Sequence, residues 1–549
     1  MRMLRTAALV GAIALSAAAC GGASDNNGNS GPSGGSGNSP TPYQTVALTP
    51  PGKGNLASAT WSLYAEPQSL DYLYAYDYPP NTVLANVCEQ LLRITPDFKV
   101  APGLAEKYDH PDPLTWVYTM RQGVKFHDGT TMTADDAVAS IKRHMDPANG
   151  SAWSTVFRDV TSVEKTGPMQ VTIKTSKPDV LINEQLAASP GTVESAAYLE
   201  KAGKNYGNPS GKVNCTGPYS LDSWNTGDSM NLKKFPDYWD KSLTPKIDNV
   251  KLVFIQDPSA RVNALMSGEV DGGYMLPTNS YEKMGSSGNG KLYFGANSGG
   301  YNAAVTNLQG PLGDVRVRKA LSMAIDRKGI VNAALNGYGK PAKSMLIPDA
   351  FGIAPEKGKT AAAALPELTQ DVAGAKKLMA DTGAAGKKIV IATTNLGPEL
   401  SVSANAIQQA GKDIGLNVEL KTIAPDAYTA LFTDPSTRDG IDIIVTNSYD
   451  MTPDPMEMLQ TLRTGDFGNY GKWSNPEYDA LVDQALATTD DNARADIALK
   501  LQDILLREMP GIPLFESPYS IYMSKKITGA TPTMAMMSYP WAAQLGSAS

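Results

Sequence analysis

Residues 116–137 read WVYTMRQGVKFHDGTTMTADDA. The first part, Thr115 to Arg121, alternates apolar and polar side chains, which is the period of a strand with one buried face. Asp128-Gly129 is a turn pair: the Asp side chain bonds its own backbone and the Gly accepts a positive φ. Thr133 then has the N-cap character, with Asp135 and Asp136 in the first turn of a helix running to about Met145. Strand, tight turn and capped helix thus follow one another within one short segment.

Similar segments recur on both sides. Val171 to Lys174 and Val250 to Ile255 read as strands. Val315 to Leu335 has apolar residues at helical spacing and reads as one helix ended near Gly337. Lys388 to Thr393 is a buried-type strand, Ser401 to Ile414 a helix, and Val418 to Ile423 and Gly440 to Thr446 are strands. Asn475 to Met509 is helical, with Asn475 as cap, Pro476 in the first turn and Pro510 after it. Beyond about residue 300 this alternation predicts a mostly parallel sheet with helices on both faces.

The N-terminus reads differently. Arg2 and Arg5 precede an apolar run, Thr6 to Ala19, that is too short for a permanent span of ~20 residues and reads as an export signal over residues 1–19. Ala17-Ala18-Ala19-Cys20 resembles a bacterial lipobox, with an ordinary signal-peptidase site beside an incidental Cys as the alternative. Of the 20 residues Gly21 to Pro40, 18 are Gly, Ser, Asn or Pro, a leash composition. Residues 20–54 are therefore assigned to a flexible tether, lipid-modified at Cys20, that holds the protein on the outer face of the cytoplasmic membrane. Two other cysteines remain, Cys88 and Cys215. In an exported protein they point to a disulfide, with two buried free thiols as the alternative.

Composition excludes several functions. The chain has 549 residues, 42% hydrophobic and 19% charged, enough for about three folding units. Its net charge of −7 gives no footprint for nucleic acid. Three His and three Cys leave little with which to build a metal site, and no HExxH pair occurs. Gly31 to Gly35 matches GxSxG but lies in the leash. Gly352 to Thr360 misses P-loop spacing by one residue. SxxK matches occur at Ser162 and Ser280, but the KTG match at Lys165 to Gly167 overlaps the first and no SDN occurs. No reaction motif or cofactor site emerges, so a binding protein is expected rather than an enzyme, an exported acylating hydrolase being the competing class.

The ordered set of motifs resembles one family, the bacterial extracellular solute-binding proteins of family 5, which serve peptide and nickel ABC importers. The 116–137 stretch is similar to the family's R-x-G-V-x-F-H/S-D-G … T-A-D-D signature. Thr216-Gly217-Pro218-Tyr219 with Phe235 to Trp239, Val315 to Leu321 with Ala324 to Arg327, Trp473 to Asp479, and Pro510 to Leu514 match further markers, in order over about residues 56–530. The resemblance implies an α/β fold, a two-lobed clamp of the type II periplasmic-binding-protein kind with an additional α+β domain. Domain I would take 55–97, 211–300 and 511–549; domain II, 98–210; and domain III, 301–510.

A ligand would bind between the lobes, and the closed monomer would dock on a membrane permease. The resemblance implies a peptide ligand, with an oligosaccharide, an opine-like compound or a metal chelate as the alternative. In peptide-binding members an Asp after a strand of the third domain pairs with the ligand ammonium, three residues before an Asp-Pro pair. Here Asp450 is the candidate, four before Asp454, the alternative being that both only make turns. Asn447 and Tyr449 share its loop. Glu66 and Gln68 follow the first strand, Tyr301 and Asn302 sit at a lobe crossing, and Trp473 offers a stacking face. These complete the candidate ligand-binding set.

Overall fold

The 116–137 segment folds as its pattern requires. A computed structural model describes residues 43–466 and 468–549; it places Thr115–Met120 in a strand and Ala134–Met145 in a helix. Trp116, Tyr118 and Met120 are the buried, alternate residues of the strand. The Thr133 backbone N–H and hydroxyl both donate to Asp136 Oδ2 at 2.8 Å, which ties down the helix start. The Asp128 carboxylate accepts from the Thr130 N–H at 2.9 Å across Gly129, whose φ is +87°. The strand lies in a four-stranded antiparallel sheet ordered 105–112, 115–120, 170–175, 160–167. The helix packs on this sheet through a core that includes Phe126, Ile141, Val163 and Ile173.

Two larger sheets carry the rest. A seven-stranded sheet is ordered 290–295, 519–524, 272–274, 56–63, 247–254, 229–234, 219–225. Its central strand, Leu56–Leu63, is parallel to both neighbours, and the outer pairs are antiparallel. Trp61 is fully buried there, with ring centroids 5.0 Å from Tyr274 and 4.4 Å from Trp541. Cys88, after the helix Tyr78–Val87, is disulfide-bonded to Cys215 within this core. The second sheet is ordered 340–341, 511–516, 300–305, 443–448, 388–394, 417–423.

Several expectations need correction. The second sheet is not mostly parallel: only Ile443–Ser448 with Lys388–Thr394, and Lys388–Thr394 with Asn417–Ile423, pair in parallel. The strands that bring the chain into and out of this half, Gly300–Val305 and Gly511–Glu516, lie in its middle and run antiparallel. Residues 511–549 are therefore not one block of domain I, because 511–516 is a strand of the six-stranded sheet; the chain crosses back at Ser517-Pro518 rather than at Pro510. The segment 315–335 is two helices, Val315–Ala324 and Arg327–Leu335, because Asp326 accepts from the Gly329 N–H at 2.8 Å and starts a new one. Asp490 does the same in the 475–509 segment, dividing Pro476–Leu486 from Asp491–Glu508. The strand expected at 440–446 spans Ile443–Ser448.

The tether also ends earlier than residue 54. Thr45 bridges Phe294, Thr49 Oγ1 donates to the Ala530 carbonyl at 2.8 Å, and the Lys53 N–H donates to the Ser547 carbonyl at 2.8 Å. The signal segment, Cys20 and the Gly/Ser/Asn-rich leash lie outside the described residues. Among the described residues no helix is long and apolar enough to cross a membrane.

Candidate ligand-binding cleft

A cavity of about 360 Å³ lies where the three sheet units meet. The seven-stranded half contributes Tyr64, Tyr76, Asp77, Tyr78 and Arg261; the four-stranded unit contributes Trp153 and Gln185. The six-stranded half contributes Tyr301, Asn302, Glu399, Tyr428, Asn447, Tyr449, Met451, Glu457 and Trp473. Register explains part of this wall. Tyr301 at the start of one crossing strand pairs with Asn447 at the end of its neighbour, so the two side chains emerge together at the lobe boundary. The halves also bond directly across the cleft. Asn447 Nδ2 donates to the Tyr78 hydroxyl at 3.0 Å, Tyr449 Oη to the Tyr76 carbonyl at 3.0 Å, and Tyr76 Oη to the Thr429 carbonyl at 3.4 Å. The clamp is closed.

Five of the residues singled out in the sequence line this cavity: Tyr301, Asn302, Asn447, Tyr449 and Trp473. Tyr301 is stacked on Phe515 at 4.5 Å, and Trp473 packs edge-on against Tyr478 at 5.0 Å, so each ring is braced on one side and borders the cavity with the rest. Three others do not line it. Glu66 ties its loop to a hairpin, accepting from Trp224 Nε1 at 2.7 Å and the Gly227 N–H at 3.0 Å, and Gln68 is exposed. Asp450 is 1% exposed and faces away: Tyr449 and Met451 border the cavity, and Asp450 between them does not. Burial, reinforced by the neighbouring Glu457, pushes its carboxyl well above the usual carboxylate range. The position three before Asp454 is Met451, so the longer loop presents a thioether to the cavity where an acid was expected. Asp454 itself is ion-paired with Arg494 and accepts from the Met456 N–H at 2.9 Å.

The charged groups of the cavity went unnoticed in the sequence. Asp77 caps the helix Tyr78–Val87, accepting from the Tyr78 N–H at 2.7 Å and from the Tyr64 hydroxyl at 3.2 Å; burial raises its pKa. Glu399 sits in the first turn of the helix Pro398–Asp413, and burial raises it too. Glu457 accepts from the Thr452 N–H and hydroxyl, each at 2.7 Å, yet burial pushes it up to about 7. Arg261, from the helix Pro258–Ser267, is the one Arg or Lys on the cavity wall among the described residues. In sequence each of these is a charged residue on an amphipathic helix or at a cap, the pattern of a solvated face. Among the described residues no group of three or more His, Cys, Asp or Glu could hold a metal ion. The site instead offers aromatic faces, carboxamides and isolated charges.

Comparison with known proteins places this architecture. Residues 99–470 match the family model for bacterial extracellular solute-binding proteins, family 5 Middle. The glutathione-binding protein GsiB of Salmonella typhimurium is 27% identical over 478 residues, covering 84% of this chain and 89% of its own. The periplasmic binding protein AgaA of A. tumefacien R10, solved with agropinic acid, superposes with a TM-score of 0.80 at 26% identity, covering 89% of this chain and 98% of its own. DppA of Helicobacter pylori, solved with the peptide STSA, has a TM-score of 0.80 at 20% identity, covering 90% and 99%. NikA of Staphylococcus aureus, solved with Ni(L-His)2, has a TM-score of 0.75 at 22% identity, covering 88% and 98%. These two share the fold. With the family model matched over more than half its length, and with the two-lobed clamp described above, the chain belongs to the bacterial extracellular solute-binding proteins of family 5, binding components of ABC importers.

Proposed function

We propose that this protein is the lipid-anchored receptor of an ABC importer that captures short peptides between its lobes and presents them, as a closed monomer, to a membrane permease. The observation that carries the reading is the interlobe cavity of about 360 Å³, walled by aromatic rings and by the ends of two paired strands. That volume is at the small end of ligand pockets and suits a di- or tripeptide rather than a long chain. Asn302 and Asn447 supply carboxamides for a peptide backbone, and Tyr301, Tyr449 and Trp473 supply apolar faces for its side chains. Closure hides the ligand from water and sets the surface that the permease reads.

One observation favours a second reading, a compact non-peptide solute such as an opine-like compound. The loop position that would meet a peptide ammonium presents Met451, and Asp450 is turned away. Native mass spectrometry separates the two. Residues 43–549 are produced in rich medium, transferred intact and then denatured. A family of released masses at amino-acid spacings supports the peptide receptor; one discrete non-peptide mass replaces it with the second reading. Replacing Cys20 with Ser should release the full-length protein from membranes, and retention of the variant there would refute the lipid anchor.

A further inference from the structure

The cavity wall contains a cation whose guanidinium the fold does not complete. Arg261 is 3% exposed and lines the cavity. Its guanidinium carries five N–H donors. Nη1 donates to the Ile255 carbonyl at 3.1 Å and Nη2 to the Met275 carbonyl at 3.4 Å; Nε has no partner. Among the described residues it makes no ion pair. Two other buried arginines show what a purely structural role looks like here. Arg318 and Arg327 are equally buried, form no ion pair, and have Nε, Nη1 and Nη2 all bonded, mainly to main-chain carbonyls. Neither lines the cavity.

A second unfilled group stands on the same wall. Asn302 is 3% exposed; its Nδ2 donates to Ser448 Oγ at 2.9 Å and its Oδ1 has no partner. Of all the buried side-chain N and O atoms without a partner among the described residues, only Arg261 Nε and Asn302 Oδ1 belong to cavity-lining residues. A buried donor and a buried acceptor left unmet cost stability, and a buried cation costs more. A ligand that brings an anion to the guanidinium offsets the larger of these costs when it binds. Burial acts against the Arg261 charge, while Tyr64, Glu399 and Asp257 favour it from farther away. Burial raises Glu399 while the Arg261 charge acts the other way, and no ion pair joins the two among the described residues.

We propose that Arg261 binds a carboxylate of the transported solute. The solute class is therefore a carboxylic acid, which includes free peptides and excludes neutral sugars. This assignment rests on the reading of the cavity as the importer's ligand site.

The test uses the chain 43–549, unfolded, refolded without ligand, and dialysed against peptone extract or against the same extract after methyl esterification of its carboxyl groups. Retained solutes are identified by native mass spectrometry. The expected result is capture from the untreated extract and at least a tenfold loss from the esterified one. Arg261→Met should lose capture by a similar factor while Arg261→Lys keeps part of it. Equal retention from both extracts by the wild-type protein overturns the role of Arg261 and leaves the importer receptor standing, and this arm is independent of whether the variants fold. Retained carboxylic acids that are not peptides support Arg261 and overturn the peptide reading. Retention of nothing from either extract overturns both.

Discussion

Arg261 and Arg494 are almost equally buried, at 3% and 2% exposed, and differ in what surrounds them. Arg494, on the helix Asp491–Glu508, contacts Asp454 through Nε; its Nη2 lies 2.7 Å from Asp491 and 3.4 Å from Glu184, and its Nη1 donates to the Thr488 carbonyl at 2.8 Å. Three acids meet one cation, and Glu184 reaches it from the four-stranded unit, so this cluster also links the two lobes. Arg261 meets two carbonyls and no acid. The contrast teaches how to separate a charge that belongs to the fold from one kept for a ligand. Where a buried cation completes its partners within the chain, its removal is a stability problem. Where it does not, its removal is a binding problem.

The largest expected effect follows from breaking the completed cluster. Arg494→Met would leave Asp454 and Glu184 buried without their cation, at a cost of about 3–5 kcal/mol. Urea unfolding of the variant measures this, and a loss under about 1 kcal/mol would show that the cluster is solvated rather than buried.

Glu457 stands between the two regions: it lines the cavity and its charge is among those that raise Glu184. Its folded pKa of about 7 lies above the ordinary 4.5. The stability that this group contributes is therefore fully present below about 4.5 and is lost as the pH rises through about 7, a decline of roughly 3 kcal/mol if it acts alone. Glu457→Gln should flatten the fall in unfolding free energy between pH 5 and 7.5. Glu194, also raised to about 7, and Asp179, raised to about 6, keep some slope in place. An unchanged pH profile in the Gln variant would remove Glu457 from the account.

A smaller effect is expected at the incomplete site. Arg261→Met removes a buried charge without stranding an acid, so the unliganded protein should change by no more than about 1 kcal/mol in either direction. A loss comparable to that of Arg494→Met in the same urea series would erase the distinction between the two arginines. The smallest effect is predicted for Asp450→Asn. It relieves repulsion with Glu457 and touches no cavity surface, so retention of solutes from peptone extract should stay within about twofold. A drop of tenfold would return Asp450 to the binding site.

Much of the architecture was legible because local signals were redundant. The 116–137 segment carries period, turn and cap at once, and its strand and helix fell where those signals put them. Single caps inside long apolar patterns were harder: Asp326 and Asp490 interrupt helices whose periodicity continues across them. Sheet direction was misread after residue 300 because alternation of strands and helices says nothing about Gly300–Val305 and Gly511–Glu516, which arrive from the other half of the molecule. In the cleft, Tyr301 and Asn302 could be named because the family resemblance puts a lobe crossing there, and Asn447 and Tyr449 because it puts a ligand-facing loop after the neighbouring strand. Arg261, Glu399 and Glu457 could not, since burial of a helix face against a second lobe leaves no local trace in the residues that bear it.

The pairing of the two crossing strands sets the mechanics of the clamp. Gly300 lies opposite Glu516, so the two connections run side by side, and a Cβ at Gly299 would sit 2.6 Å from the Ser448 carbonyl oxygen on the strand that flanks them. Such a joint turns like a door on one edge: it resists sliding and leaves rotation as the soft coordinate. Displacement then grows with distance from the joint. The ion pair of Arg158 with Asp466, 2.7 Å long and carried on different lobes, joins a part-exposed cation to an enclosed carboxylate, and Arg494 with Glu184 makes a second bridge. Pairs with a partner held out of water are screened little by salt. A small torque on the strands is thereby converted into a wide gap, and these two bridges are the latches that must release before the door stands open.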